Sequence, residues 1–220
     1  MVNNNIITAA SGLDVGANST FTTTGTVTAP VTNSGNFNAQ GTVNSTTFTN
    51  SGAGLLTVTG TLNGIGTLVN NGGTGGTTVD TGALTVTSVD HNAGTLTVAA
   101  AAGLVAAGGV DVAAGSALTS SGSITANVTN AGTANASGTI TGDFTNSGAG
   151  TLTTNGVLLT ITGTLLQSSA TGAITVAAGH ILDAGVITNN GAAGIAVGVG
   201  STLNGTANTL NNNSVINVAS

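Results

Sequence analysis

Six Asp and two His side chains are the residues of this sequence that could take part in acid–base chemistry. Asp14 and Asp111 occupy equivalent places in two copies of a repeat that lie 97 residues apart, so they cannot form a catalytic pair. Asp80, Asp90 and His91 are closer together and could approach one another. Cleavage of polysaccharides requires clustered carboxyl groups, and the chain has no Lys or Arg to hold an acidic sugar. We therefore predict no catalytic residues and no enzymatic activity.

The same side chains give little support for a metal site or a cofactor site. A zinc site needs three or four converging donors, whereas His180 has only Asp183 nearby, Asp143 is isolated and there is no Cys. The segment 72–80 is similar to a glycine-rich calcium-binding nonapeptide, but Thr77 stands where that repeat needs Asp. We interpret this segment as a loop and predict neither a bound metal nor a cofactor.

One short motif recurs along the chain and predicts its architecture. It consists of an apolar residue, Thr, Asn, a small residue and Gly, at 31–35, 48–52, 128–132, 144–148 and 187–191. This order is typical of the end of a strand, followed by an amide side chain and a turn. Recurrence of such a unit near every 20 residues predicts a solenoid.

The repeat has a second level, because residues 13–35 and 110–132 are identical at 12 of 23 positions. The predicted corners of the coils follow the same progression of gaps twice, with coils of 15–23 residues, at positions 18, 33, 50, 70, 92, 115, 130, 146, 167, 189 and 212. We predict a single β-solenoid over 1–220, built from a duplicated five-coil block. The copies are about 13–109 and 110–206, with a partial third copy at 207–220.

The local pattern favours strands in each coil. Apolar residues alternate with Thr in 56–59, 84–87 and 96–98, which is the two-residue period of a strand with one buried face. Gly, Thr, Val and Asn are poor helix formers. The predicted fold is all-β, a right-handed parallel β-helix of about eleven coils. At about 4.8 Å per coil, the rod would be roughly 50 Å long.

Amide side chains stacked at one corner could bond from coil to coil, as they do in cross-β structures. The alternative is that each Asn only suits its own turn. The predicted corner ladder consists of Asn18, Asn33, Asn50, Asn70, Asn92, Asn130, Asn146, Gln167, Asn189 and Asn212, with Gly115 as an interruption.

Five Thr-X-Thr pairs resemble the motif with which solenoid ice-binding proteins present flat Thr arrays. They begin at Thr26, Thr57, Thr85, Thr95 and Thr160. Counted from the nearest corner, the pairs start at different offsets, so we expect them not to share one register. Thr on the solvent face of a strand is the simpler interpretation.

Composition excludes several classes of partner. The chain has no Lys or Arg, and its formal net charge is -6. Binding to nucleic acid or to anionic lipid surfaces requires cations, so we expect neither partner. No run of apolar residues is long enough for a membrane-spanning helix, and the first residues show no Sec-type signal.

The phrases at 31–43 and 183–191 resemble the β-helical passengers of bacterial autotransporter adhesins and of filamentous-haemagglutinin-like exoproteins. This resemblance is one of repeat style and covers nearly the whole chain. It implies a right-handed parallel β-helix on the outside of a bacterium.

Together these observations favour a structural protein that is extracellular or at the cell surface. The expected role is a subunit of a self-assembling fibre, or a rod segment of an adhesin, in which copies join end to end. The expected partner is therefore another copy of the chain. The alternative is a β-solenoid that binds ice or carbohydrate through its exposed Thr-X-Thr faces.

Overall fold

The computed structural model describes residues 1–219, apart from the side chain of Asn208, and this part of the chain consists of strands joined by turns. The strands are β1 (Val2–Asn3), β2 (Ile6–Thr8), β3 (Leu13–Val15), β4 (Thr20–Thr23), β5 (Thr26–Thr28), β6 (Val31–Asn33), β7 (Asn36–Ala39), β8 (Thr42–Asn50), β9 (Leu55–Val58), β10 (Thr61–Asn70), β11 (Gly76–Val79), β12 (Gly82–His91), β13 (Thr95–Val98), β14 (Ala102–Ala106), β15 (Val110–Val112), β16 (Ala117–Ser120), β17 (Ser123–Thr125), β18 (Val128–Asn130), β19 (Thr133–Thr141), β20 (Phe144–Asn146), β21 (Thr151–Gln167), β22 (Ile174–Val176), β23 (Ile181–Asn189), β24 (Ile195–Val197), β25 (Thr202–Asn212) and β26 (Ile216–Val218).

The strands form three parallel stacks, which we call faces A, B and C. Face A contains β3, β6, β15, β18, β20 and the last residues of β8, β10, β12, β21, β23 and β25. Face B contains β1, β4, β7, β9, β11, β13, β16, β22, β24, β26 and the first residues of β19 and β21. Face C contains β2, β5, β14, β17 and the remaining parts of the long strands. The prediction of an all-β parallel solenoid of about eleven coils is confirmed. Its right-handed winding and its division into two five-coil blocks stay predictions.

The interior consists mainly of aliphatic side chains, stacked in columns by the parallel register. One inward column of face B contains Phe21, Phe37, Leu56, Thr77, Leu96, Leu118, Ala134, Leu152, Ile174 and Ile195, all buried. Three of the four Phe rings form a small group near the N-terminal end, with centroids about 5 Å apart. A narrow interior of this kind is well filled by β-branched and small residues.

Glycine allows successive coils to approach closely at the turn that follows face A. A Cβ atom at Gly54 would lie 2.1 Å from the carbonyl oxygen of Asn33, and one at Gly35 would lie 2.4 Å from that of Ser19. Any side chain at these positions would push neighbouring coils apart. The motif Gly at 35, 132 and 191 therefore has a steric reason, whereas the motif Gly at 52 and 148 has a positive φ, of 59° and 57°.

Candidate functional site

Most of the predicted ladder residues share one inward position at the end of face A. Parallel pairing aligns this position from coil to coil, and we call the result the ladder column. Eight of the ten predicted residues lie in it, and they are buried from Asn33 to Asn189. The column consists of Val15, Asn33, Asn50, Asn70, His91, Val112, Asn130, Asn146, Gln167, Asn189 and Asn212.

The first amides of the column form a directed chain of hydrogen bonds. Asn33 Nδ2 donates to Asn50 Oδ1 at 2.8 Å, and Asn50 Nδ2 donates to Asn70 Oδ1 at 2.8 Å. The same amino groups also donate to backbone carbonyls one coil further on, at Leu55 (3.1 Å) and Gly76 (2.8 Å). These carbonyls belong to the first residues of face B strands. Each amide therefore joins two coils and also satisfies a backbone acceptor.

His91 takes the place of an amide in the next coil. Its Nδ1 lies 3.2 Å from Asn70 Nδ2, and its Nε2 lies 2.9 Å from the carbonyl oxygen of Ala117. Asn70 Oδ1 already accepts from Asn50 and from Thr77 Oγ1. The amino group of Asn70 is therefore the donor to Nδ1, and the proton of the neutral ring lies on Nε2. Sequence reasoning missed both His91 and Thr77, because neither belongs to the recurring motif.

Burial lowers the pKa of His91 below its ordinary value of 6.5. Hydrogen bonds with backbone groups at Ala117 and Gly94 act in the opposite direction but are the weaker effect. The imidazole is fully buried, so its charged form would lose hydration without gaining a counter-ion. His91 is therefore held neutral at the end of the first chain of hydrogen bonds.

A second chain of hydrogen bonds begins after Val112. Asn130 Nδ2 donates to Asn146 Oδ1 at 2.8 Å and to the carbonyl of Thr151 at 2.9 Å. Asn146 Nδ2 then donates to Gln167 Oε1 at 2.9 Å. The direction is the same as in the first chain, with the amino groups pointing toward the C-terminal coils.

Gln167 ends this second chain because its side chain is longer by one methylene. Its Nε2 reaches the carbonyls of Gly172 (2.7 Å) and Gly194 (3.1 Å), and makes no bond to Asn189. Asn189 starts a last link, in which its Nδ2 donates to Asn212 Oδ1 at 2.7 Å. The column is thus continuous in backbone register but divided in hydrogen bonding.

Two buried amide oxygens mark these divisions. Asn130 Oδ1 and Asn189 Oδ1 have no hydrogen-bond partner. Asn130 follows Val112, which cannot donate, and Asn189 follows Gln167, whose amino group is engaged elsewhere. Asn33 also follows a Val, but its Oδ1 accepts from the backbone N–H of Gly35 at 3.2 Å.

The assignment of Asn18 to the ladder is wrong. Val15 occupies the column in that coil, and Asn18 lies in the following turn with a φ of 62°. Gly115 holds the equivalent place in the later copy, with a φ of 84°. Both residues adopt the left-handed conformation, which Asn and Gly tolerate best. The residue type at 18 and 115 reflects turn geometry.

The assignment of Asn92 to the ladder is also wrong. It follows His91, so its side chain points outward, where it is exposed. Its amide donates to Asn71 Oδ1 at 2.9 Å, which links two coils on the outside of the corner. A second, external amide contact therefore accompanies the buried column at this place.

The carboxylates do not converge on a reactive site. Asp90 and His91 are consecutive strand residues, so one side chain points outward and the other inward. Asp90 pairs with Asp111 in the next coil, and both side chains are exposed on face A. Asp14 lies in the same outward position of face A, next to Thr32.

Asp80 is exposed just after β11, and Asp143, Asp183 and His180 bond to neutral groups. Asp183 Oδ1 accepts from Asn204 Nδ2 at 2.8 Å, and Asp143 Oδ1 accepts from the backbone N–H of Thr164 at 2.7 Å. His180 Nδ1 lies 3.0 Å from Thr154 Oγ1. Within residues 1–219, no three His or Asp side chains are grouped in a way that could hold a metal ion.

The interpretation of 72–80 as a loop is wrong for its second half. Residues Gly76–Val79 form strand β11 of face B, and Thr77 is buried there. The Thr77 hydroxyl donates to Asn70 Oδ1 and accepts from Asn50 Nδ2, so this residue supports the ladder column.

The Thr-X-Thr pairs do not share one register, as the sequence predicts, but two of them place a Thr at the same outward position. The pairs that begin at Thr26, Thr85 and Thr160 lie on face C, whereas Thr57 and Thr97 share an outward position of face B. We call that position the outer face B column. It contains Thr22, Asn38, Thr57, Thr78, Thr97, Thr119, Asn135, Thr153 and Thr175 in successive coils. Within the described chain, the face B strands carry no ionisable side chain.

Comparisons with protein-family models, with curated proteins and with solved structures gave no significant match. Over the part of the chain that the structure describes, no helix has the length and apolar character needed to cross a membrane. The function must therefore be argued from the geometry of the coils.

Proposed function

We propose that the protein is a structural β-solenoid rod, a subunit of an extracellular or cell-surface fibre or a rod segment of an adhesin. Copies would join end to end by parallel strand pairing. The observation that carries this proposal is the match between the two terminal coils of residues 1–219. Each presents unpaired strand edges on the same three faces. On faces A and C both edges direct apolar side chains toward the interior, whereas on face B the inward residue of β1 is Asn3.

Face A shows the match most directly. At the N-terminal edge, Leu13 lies in the inward column and Asp14 points outward. At the C-terminal edge, Leu210 lies in the same inward column and is 52% exposed, whereas Ile187 one coil earlier is 1% exposed. A second copy placed on this edge would cover Leu210 with Leu13.

Face C repeats the pattern. Ile7 and Leu203 lie in inward positions of the first and last coils, and each is only partly buried against the core. On face B, Val218 ends an inward column and is 71% exposed, although Val197 one coil earlier is 6% exposed. Covering such side chains stabilises a complex by about 1.5 kcal/mol or more for each one fully buried.

Composition also supports a durable extracellular role. The chain has no Lys or Arg, so it offers no cleavage site to trypsin-like proteases. Its net charge of -6 makes copies repel one another at low ionic strength. Salt screens this repulsion, so end-to-end association should increase with salt concentration.

The test compares two exposed valines with different locations. Val218 lies on the C-terminal edge and is 71% exposed, and Val157 lies on the side of the rod and is 72% exposed. Light scattering and electron microscopy at rising protein and salt concentration should show rods that lengthen for the wild type and for Val157→Asp. Val218→Asp should shorten them strongly. Monomers for all three proteins would refute the proposal.

A second candidate function is binding of ice or of a flat carbohydrate surface by face B. The outer face B column favours it, because nine successive coils present Thr or Asn at one position, spaced at about 4.8 Å. The χ1 angles of Thr are restricted, so we expect the Thr hydroxyl groups of this column to form a regular neutral array, interrupted by Asn38 and Asn135.

This second candidate is tested with one substitution on each of two faces. Thr97→Tyr would interrupt the array on face B, and Thr145→Tyr would place the same side chain on face A. Thermal hysteresis, or retention on insoluble polysaccharide, should be lost with Thr97→Tyr alone. Equal behaviour of the two variants would argue against a role for face B.

A further inference from the structure

We infer that His91 is a proton-sensitive junction in the rod. A second proton on its imidazole would break the contact with the preceding coil and loosen the stack at this point. The inference concerns the stability of the single chain, so it holds whether or not copies associate.

The geometry leaves no place for a second proton. Nε2 already donates to the carbonyl of Ala117 at 2.9 Å. Nδ1, the atom that would be protonated, faces the amino group of Asn70 at 3.2 Å. Protonation would set two donors against each other inside the stack, where both are fully buried. Buried polar groups without an acceptor destabilise a structure strongly.

Rotation of the Asn70 amide cannot relieve this conflict. It would turn the amino group of Asn70 toward Asn50 Nδ2, which now donates to Asn70 Oδ1. Asn50 would then have to rotate as well, and its oxygen would face the carbonyl of Gly76, to which its amino group now donates. The backbone carbonyls therefore fix the direction of the whole first chain of hydrogen bonds.

No counter-ion compensates the charge on a protonated ring. The strands around the imidazole are β10 with Asn70, β11 with Thr77, β13, β15 with Val112 and β16 with Ala117. The only ionisable side chains on these strands and on β12 itself are Asp90 and Asp111, and both point outward. Burial dominates, and it lowers the pKa of His91 from 6.5.

The sign of the pH dependence follows from linkage. Because the folded chain binds this proton less well than the unfolded chain, stability is complete above pH 6.5 and falls as the pH decreases below it. The loss stops at the lower pKa of the folded state. Within that window, the equilibrium constant for unfolding should rise up to about tenfold for each pH unit.

The experiment measures urea unfolding by circular dichroism between about pH 7.5 and 5, above the titration of most carboxyl groups. Fluorescence is unsuitable, because the chain has no Trp or Tyr. His91→Asn should remove most of the pH dependence, since Asn occupies the equivalent position in neighbouring coils. His180→Asn is the matched control and should leave it intact. An unchanged slope in His91→Asn would overturn the inference.

Nuclear magnetic resonance of the wild type gives a second measurement that does not depend on any variant. With ¹⁵N-labelled histidine, the His91 ring of the folded chain should be neutral and carry its proton on Nε2 at pH 6.5 and above. Amide exchange should accelerate first around β10 and β12 as the pH falls. A ring that is protonated in the folded state at pH 6.5, or one with its proton on Nδ1, would contradict the inference.

Discussion

The two hydrogen-bonded chains in the ladder column are built from similar residues and differ in how their ends are closed. Asn33, Asn50, Asn70 and His91 form the first, and every buried polar atom of these side chains has a partner. Asn130, Asn146 and Gln167 form the second, and Asn130 Oδ1 has none. In the ladder column, each of the two chains begins directly after a Val.

The difference shows that backbone register and side-chain bonding are separate properties of a solenoid. The register continues through Val112 and Gln167, because it depends on strand pairing alone. The chain of side-chain hydrogen bonds stops at Val112 and at Gln167, because each link depends on the type and length of one side chain. Variants at matched positions of the two chains can therefore separate the two contributions.

The largest effect is expected where the amide has most partners. Asn50→Ala removes a side chain that accepts from Asn33 and donates to Asn70 and Gly76, so it should lower the free energy of unfolding by about 3 kcal/mol. Asn130→Ala should lower it by about 1 kcal/mol, because its oxygen has no partner to lose. Urea unfolding measures both. A larger effect at Asn130 would contradict the comparison.

Side-chain length should matter next. Asn146→Gln places a longer side chain in a fully buried position, and it should cost about 2 kcal/mol through overpacking and displaced hydrogen bonds. Gln167→Asn gives Asn189 Oδ1 a donor but removes a buried methylene. The gain from the new hydrogen bond and the loss from the missing methylene nearly cancel, so the free energy of unfolding should stay within about 0.5 kcal/mol of the wild type. An equal loss of unfolding free energy in the two variants would show that side-chain length does not determine where the chain of hydrogen bonds is interrupted.

The equivalent turns at Asn18 and Gly115 should give a smaller effect. Gly115→Ala should cost about 1 kcal/mol, because the residue has a φ of 84° and no neighbour that a Cβ would meet. Gly115→Asn copies the first turn and should cost less. Thermal unfolding of the two variants would decide between a conformational cause and a packing cause, since packing would make Asn the worse replacement.

The smallest effect is expected from the carboxylates of face A. Asp111→Asn should stabilise the chain slightly, because Asp111 lies directly across from Asp90. Asp14→Asn should bring no such gain, since its neighbour is Thr32. Urea midpoints at low and high salt would test this, and the gain should shrink as salt is added.

Much of the fold was accessible from the sequence, because the solenoid repeats its signals. The recurring Thr-Asn-small-Gly motif gave the column position at Asn33, Asn50, Asn130 and Asn146, and the gaps between motifs gave the number of coils. These signals are local, and strand pairing propagates them from coil to coil without change.

The errors arose where the turn changed length. In the first coil a Val ends the strand and the Asn falls three residues later, so counting Asn residues selected the turn at Asn18. His91 was missed because Asn92 beside it matched the motif better. The outer face B column was missed because turns of different length separate it from the ladder column, so that offsets from a corner do not report register.

The amino groups that join one amide of the ladder column to the next all point toward the C-terminal coil. A rod in which all these hydrogen bonds run in one direction is polar, so its two ends are not equivalent. Molecules that continue the ladder column from one to the next must share one orientation. The two tips of such an assembly present different hydrogen-bonding groups to an added molecule. If copies join end to end as proposed, elongation at one tip would differ in rate from elongation at the other, and the filament would have a definite polarity.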